Sequence, residues 1–239
     1  MSRYFALIPA AGSGTRLGGE TPKQYRIVAG KPMLHHALQA LALERRIERT
    51  FLAIGPEDAH WERLSSKMPL QNAMLLRCGG TSRAATVLNA LREMERHGVL
   101  DNDWILVHDA ARPCLSQAAL ARLIDEIDSD VVGGLLAVPV ADTIKRGDEY
   151  QRVTATEKRD GLWLAQTPQM FRVGTLRNAL ADAPLDEISD EAGAIERAGM
   201  RPKLVMGECS NIKVTYAADI LLAEAILNRG QVLARISKA

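Results

Sequence analysis

Leu7-Ile8-Pro9-Ala10-Ala11-Gly12-Ser13-Gly14-Thr15-Arg16-Leu17-Gly18-Gly19, with Pro22-Lys23-Gln24 close behind, is the stretch that decides how the chain reads. Tyr4 to Ile8 is a short apolar run, the pattern of a buried strand. It runs into a loop of small residues carrying two cations, Arg16 and Lys23. Gly12 and Gly14 present no side chain to a ligand and permit φ > 0, so successive backbone N–H groups can point at one anion. A polyphosphate is the ligand that needs such a loop. No Gly-Lys-Ser/Thr ends it, which excludes a Walker A loop. Leu17 stands where the third Gly of a dinucleotide fingerprint belongs, and Gly18 comes one place late.

The 239 residues, 47% of them hydrophobic, can bury a full core as one domain or as one domain plus a small appendage. Thirty Lys and Arg against 29 Asp and Glu leave a net charge of +1, so no nucleic-acid surface is expected. The first residues lack the apolar region of a signal peptide, and no apolar run approaches the ~20 residues of a membrane span. Cys78, Cys114 and Cys209 are far apart with no C-x-x-C pair. Reduced thiols and a cytoplasmic location are the expectation.

Further along, Pro32 opens a helix with Leu34, Ala37, Leu38 and Leu41 on one face. His35 and His36 lie on it about 100° apart, so they cannot share a metal and read as structural. Residues 50–54 read as a second strand, 57–67 as a short helix and 73–77 as a third strand ending at Gly79-Gly80. The next helix begins at Thr81-Ser82-Arg83, where its first N–H groups could meet an anion or simply be capped. Thr86 could offer a hydroxyl there. Residues 104–107 form a fourth strand ending in His108-Asp109-Ala110-Ala111-Arg112-Pro113. Asp109 lies just past a parallel strand, where open α/β sheets hold ligands, and its carboxylate would suit Mg²⁺ or Mn²⁺ beside phosphates. Asp109 could equally cap a turn and pair with Arg112, while His108 reads as structural.

Ser116 caps another helix, and residues 131–138 form a fifth strand. The repeated strand–loop–helix rhythm means a mostly parallel sheet with helices on both faces. The rhythm breaks at 140–160. Residues 140–146 and 150–156 alternate about the turn Gly147-Asp148-Glu149, a hairpin signal with polar residues on both faces. Such an arm should project, and because two strands alone are marginal in water, a second copy is its natural support. Residues 157–169 bring the chain back. Ser189-Asp190-Glu191 starts a helix ending at Gly199, 203–206 is a strand, and 211–215 is expected to be another. Lys213 in that strand points either to solvent or into the site. An amphipathic helix closes the chain from Thr215 to about Ser237.

Together these motifs resemble the 2-C-methyl-D-erythritol 4-phosphate cytidylyltransferase family across nearly the whole chain. The resemblance rests on Pro9 to Arg16, Pro22-Lys23-Gln24, Gly79-Gly80-x-x-Arg83, Val107 to Arg112, Gly161-Leu162-Trp163, Thr167-Pro168-Gln169, Ser189-Asp190-Glu191 and Asn211 to Thr215, in order and spacing. It implies a single Rossmann-like nucleotidyltransferase domain, glycosyltransferase-A-like, with residues 140–160 as a dimerisation arm. It implies CTP and 2-C-methyl-D-erythritol 4-phosphate as substrates, a CDP-linked alcohol and pyrophosphate as products, a divalent metal and a homodimer. Carried onto this chain, Ala10, Ala11, Gly12 and Gly14 would line the triphosphate, with Gly80 and Thr86 near the cytidine. Arg16 and Lys23 would stabilise the transition state; Lys213 and the partner-donated Arg159 would hold the substrate phosphate. Asp109, Arg112, Thr143, Thr167 and Ser189 would complete the substrate side, with Asp109 also toward the metal. Thr81 stands where the family often has an acid, and Ser189 keeps the hydroxyl of a usual Thr. The residues themselves leave two other readings open, a cytidylyltransferase for another polyol phosphate such as ribitol 5-phosphate, or a non-catalytic nucleotide-binding regulator.

Overall fold

The computed structural model describes residues 2–12, 21–64 and 72–236, with side chains as far as Arg229. In chain order the strands are β1 (Tyr4–Pro9), β2 (Ile27–Val28), β3 (Lys31–Pro32), β4 (Ile47–Ala53), β5 (Ala73–Leu76), β6 (Trp104–Val107), β7 (Gly133–Pro139), β8 (Ile144–Gly147), β9 (Val153–Glu157), β10 (Trp163–Arg172) and β11 (Lys203–Met206). The helices are α1 (Met33–Ala42), α2 (Ala59–Leu64), α3 (Arg83–Glu95), α4 (Gln117–Ile127), α5 (Val173–Ala181), α6 (Glu191–Arg197) and α7 (Ala217–Ile236).

Seven strands make one sheet in the order β11-β7-β10-β6-β1-β4-β5. β1 runs parallel to β4 and β6, β4 to β5, and β7 to β11; β10 alone is antiparallel, between β6 and β7. The apolar strands are buried on both faces, so alternate residues serve two cores. Ala6 and Ile8 of β1 and Trp104 and Leu106 of β6 face Leu34, Leu41, Leu120 and Leu123 of α1 and α4. Phe5, Leu7, Ile105 and Val107 face α3, α5 and α6 through Leu88, Leu91, Leu176 and Ile195. The sheet is therefore covered on both sides, as the strand–helix rhythm implies.

The chain order also decides where a ligand can sit. From β1 the chain moves outward to β4 and β5, then crosses back through α3 to β6 on the other side of β1. The carboxyl ends of β1 and β6 thus flank the point where strand order reverses, the usual ligand crevice of an open α/β sheet.

Several boundaries differ from the sequence reading. β4 begins at Ile47, its entry masked by the polar Glu48 and Arg49. The helix expected over 57–67 is described as Ala59–Leu64, and 65–67 lie outside the described residues. β7 begins only at Gly133, because the Asp130 carboxylate accepts from the N–H groups of Val132 and Gly133 at 2.8 and 2.9 Å and holds that stretch in a turn. β10 lacks a clear apolar alternation, whereas α5 does carry an apolar face of Val173, Leu176, Ala179 and Leu180; the sequence reading assigned neither element. Residues 211–215 are not a strand. Their one cross-chain backbone bond, Val214 N–H to the Ala111 carbonyl at 2.8 Å, goes to a loop, and the next N–H groups, of Thr215 and Tyr216, go to the Asp219 carboxylate.

β8 and β9 pair only with each other. Asp148 closes their turn by accepting from the N–H groups of Tyr150 and Arg152, both at 2.9 Å. Across residues 141–162 only Ile144 and Glu157 are half-buried; the rest are exposed. The alternation of this stretch thus corresponds to an exposed two-stranded hairpin.

Gly133 shows how closely the sheet is packed. It has φ +110°, and a Cβ there would meet the Met170 carbonyl and lie 2.6 Å from Phe171 Cδ1. Both the backbone conformation and the contact exclude a side chain. Gly133→Ala is expected to cost about 2 kcal/mol or more. Urea unfolding of the variant reads this as a lower midpoint at an unchanged slope; an unaltered midpoint would contradict the packing.

Candidate active site

Three loops meet at the carboxyl ends of β1, β5 and β6 around a cleft of about 540 Å³. The first loop contributes Ala10, Ala11 and Gly12. Gln24 reaches back from the Pro22-Lys23-Gln24 motif and donates from Nε2 to the carbonyls of Ala10 and Gly12, at 2.8 and 3.0 Å. The two motifs that open the sequence are thus one structure, and the linkage sets Lys23 on the cleft wall. A Cβ on Gly12 would meet nothing within 4 Å, and its φ is not positive. Its lack of a side chain leaves space in the cleft rather than relieving backbone strain. Gly14 and Arg16 lie outside the described residues.

The second loop is Gly79-Gly80 leading into α3. A Cβ on Gly79 would lie 2.5 Å from that of Ala11, so this glycine lets the two loops touch. Ser82 caps α3 by accepting from the Ala85 N–H at 3.1 Å, as capping chemistry leads one to expect. Thr86 is buried; its hydroxyl accepts from the Gly80 N–H and donates to the Ser82 carbonyl, both at 3.0 Å. Gly80, Thr81 and Thr86 line the cleft, with the Thr86 hydroxyl committed to its own loop.

The third loop carries Asp109, and here the charges gather. Arg83 Nε donates to Asp109 Oδ1 at 2.9 Å, and its two terminal nitrogens grip Glu191 at 2.6 and 3.1 Å. Lys213 Nζ stands 2.7 Å from Asp109 Oδ2. Of the two orientations open to Lys213, the structure has it aimed into the cleft. Burial would raise the Asp109 pKa, but Arg83 and Lys213 outweigh it and hold the carboxyl well below the usual carboxylate range. Burial raises Glu191 against the pull of Arg83. Among the described residues no group of three or more His, Cys, Asp or Glu side chains could hold a metal. Asp109 is the carboxylate on the described lining, and both its oxygens face cations.

Other expected residues lie elsewhere. Arg112 is buried beneath the cleft, its guanidinium donating to the carbonyls of Asn211 at 2.7 Å and Ala165 at 3.1 Å rather than to the Asp109 carboxylate, while its backbone N–H closes a turn on the Asp109 carbonyl at 3.0 Å. Thr167 is also buried and accepts from the Asp109 N–H at 3.0 Å. Ser189 is exposed beside Asp190, the residue that caps α6. Thr143 and Arg159 are exposed in the arm, where the Arg159 guanidinium donates to the Ala141 carbonyl. None of these five lines the cleft. Sequence reasoning noted Arg83 within a motif without giving it a task, took Glu191 only as an acid in a first helical turn, and passed over Gln24. A buried bidentate pair between residues 108 positions apart leaves no local signal.

His108 is fully buried, and burial lowers its pKa to about 4. An unfolded chain binds this proton near pH 6.5, so stability falls as pH drops from about 6.5 to about 4. The loss attributable to His108 is at most about 3 kcal/mol by proton linkage. Denaturant midpoints at pH 7, 5.5 and 4.5 are expected to fall less in His108→Asn than in the wild type; parallel curves would contradict the assignment.

The residue pattern has close relatives. A family model described as 2-C-methyl-D-erythritol 4-phosphate cytidylyltransferase matches residues 4–229. A protein of that name from Nitrosospira multiformis is 54% identical over 228 residues, 95% of this chain and 98% of the relative. Another from Dechloromonas aromatica is 53% identical, again covering 95% and 98%. A crystal structure of a 4-diphosphocytidyl-2C-methyl-D-erythritol synthase superposes with TM-score 0.84 at 39% identity, over 95% of this chain and 99% of that one. The Francisella tularensis 2-C-methyl-D-erythritol 4-phosphate cytidylyltransferase gives 0.80 at 32% identity, over 94% and 100%. With the family model matching residues 4–229 and relatives more than half identical over nearly the whole chain, the chain belongs to the 2-C-methyl-D-erythritol 4-phosphate cytidylyltransferase family.

Proposed function

We propose that this enzyme transfers a cytidylyl group from CTP to 2-C-methyl-D-erythritol 4-phosphate, releasing pyrophosphate, as a step of isoprenoid biosynthesis. Family membership supports the substrates. The observation that carries the chemistry is that the small-residue loop, Lys23, Asp109 and Lys213 all face one cleft. A phosphate-monoester oxygen attacks the α-phosphorus of CTP in line; the new P–O bond forms as the bond to the β-phosphate oxygen breaks. The nucleophile is already an anion, so no general base is required. His108 would be unfit for that task, since both its nitrogens are engaged and it is sealed from the cleft.

The difficulty is electrostatic. Two unit charges ~4 Å apart interact by roughly 4 kcal/mol at an effective dielectric of 20. Placed cations that meet the charge as it develops are the remedy. Ala10, Ala11, Gly12 and Gly14 cradle the triphosphate, Gly80 and Thr86 bound the cytidine, and Lys23 with Arg16 offset charge at the reacting phosphate. Lys213 takes the incoming phosphomonoester. Arg112 and Thr167, buried below, hold the backbone that carries Asp109 and Lys213. Asp109, although both its oxygens face cations, is the lining carboxylate that would turn toward a divalent cation entering together with the nucleotide phosphates. When bound, the ion supplies further charge neutralisation at the phosphates.

Pyrophosphate release is expected with CTP and the methylerythritol phosphate, to depend on Mg²⁺ or Mn²⁺, and to fall at least tenfold with UTP, ATP or ribitol 5-phosphate. Lys23→Ala, Arg16→Ala and Lys213→Ala should each lower kcat by ~10²-fold with the fold retained, the scale for one lost preorganised donor. Equal use of ATP, or an unchanged kcat in a folded Lys213→Ala enzyme, would contradict the reading.

The arm completes the proposal. Its strands lack cover, and Tyr150 and Val153 are exposed on it at 75% and 65%. A homodimer in which two arms pair would cover them, and Arg159 with Thr143 would then serve the partner's cleft; Ser189 lies on the same substrate side. Arg159 offers the planar fork suited to a phosphate. Mixing Arg159→Ala subunits with Arg16→Ala subunits tests this, since a mixed dimer would hold one site with both defects and one intact. Activity is expected to return to about half per mixed dimer; no recovery, with subunit exchange shown independently, would reject a shared site.

A further inference from the structure

His108 stands outside the cleft, yet three separate stretches of chain meet on it and on its immediate partners. The Asp109 N–H donates to Thr167 Oγ1 at 3.0 Å. Thr167 Oγ1 lies 3.0 Å from His108 Nδ1, and His108 Nε2 lies 3.1 Å from the Arg112 carbonyl. A carbonyl only accepts, so Nε2 carries the proton. Nδ1 is then the acceptor for the Thr167 hydroxyl, whose oxygen takes the Asp109 N–H. Arg112 donates onward to the Asn211 carbonyl, and the Asn211 amide donates to the Thr167 carbonyl at 2.8 Å. Asn211 lies two residues before Lys213.

We propose that His108 is a positioning residue of the transfer reaction. Through the Thr167 hydroxyl it holds the backbone of Asp109, and through the Arg112 carbonyl it holds the turn that reaches the Lys213 segment. The Asp109 carboxylate and the Lys213 ammonium therefore stay at one separation while neighbouring loops accept ligand. The inference rests on the cytidylyl-transfer reading for its kinetic consequence, but the hydrogen-bond direction stands apart from it.

A His that merely fills the core would be replaceable by any side chain of similar volume. A positioning His needs an acceptor at Nδ1. Asn can present its carbonyl oxygen near that place, whereas Phe presents nothing. In pyrophosphate-release kinetics His108→Phe is expected to lower kcat 10–50-fold with KM for CTP within about threefold. His108→Asn should recover at least a third of the wild-type kcat. Thr167→Val should match His108→Phe, and the double variant should be no slower than either alone, since groups acting as one unit are not additive. Thr167→Ser, which keeps the hydroxyl, should restore activity. Multiplicative losses in the double variant, or equal kcat for Phe and Asn, would overturn the proposal. Nitrogen NMR of isotope-labelled histidine in the full-length enzyme provides a readout that does not depend on turnover. His108 is expected as the neutral Nε2–H tautomer at pH 7.5, and its Nδ1 signal should shift in Thr167→Val. The Nδ1–H tautomer, or an Nδ1 signal unmoved in Thr167→Val, would overturn the proposal even in an active enzyme. An enzyme inactive with CTP but showing the expected tautomer would instead defeat the functional reading.

Discussion

Asp109 keeps its charge inside the protein because Arg83 and Lys213 reach it from opposite ends of the chain. A lone buried carboxylate would cost several kcal/mol and would take up a proton instead. Arg83 is itself satisfied only because Glu191 takes its other edge. The result is an alternating row, Glu191, Arg83, Asp109, Lys213, whose charges cancel. The row sets α3, α6, the loop after β6 and the segment before α7 in fixed relation. Lys213 is the exposed end, its side chain 40% accessible.

Beneath that row lies a second layer held by the hydrogen bonds of uncharged side chains. β10 runs antiparallel in an otherwise parallel sheet and buries Gln166, Thr167 and Gln169. Gln166 donates to the Glu208 carbonyl; Gln169 donates to Asp190 and accepts from the Ala192 N–H. Buried polar groups of this kind stabilise only when paired, and each pairs with a different distant segment. The strand thereby does for the site what apolar strands do for the core, fastening β6, α6 and the 208–214 stretch to one another.

The arrangement matches the demands of phosphate attacking phosphate. Such a reaction needs little proton transfer and much charge compensation at fixed places. The cleft offers cations and backbone on rigid supports, with its histidine sealed beneath. The hairpin of β8 and β9, exposed along nearly its whole length, stands apart from this cleft.

How much of this was legible in the sequence follows from the range of each interaction. The apolar runs of β1, β5 and β6 and the helical periods of α1, α3 and α4 are local patterns, set by burial on a two- or 3.6-residue repeat, and they announced an open α/β sheet. Motifs likewise singled out Ala10 to Gly12, Lys23 and Asp109, which line the cleft, because glycines and charges beside a strand end carry meaning within a few residues. Hidden from that reading were β10 and α5, the loop conformation around Lys213, the Arg83–Glu191 pair and the His108–Thr167 contact. In β10 the apolar alternation is broken by polar residues whose partners lie 21 to 59 positions away. At 211–215 an alternating Ile-Lys-Val looked like a strand, but its backbone found a loop and a helix cap instead. The sequence by itself determined which segments are apolar and where charge is placed along the chain. Only the tertiary structure decided which charges meet, because a buried ion pair or a satisfied buried hydroxyl depends on partners brought together by packing, and no local periodicity records them.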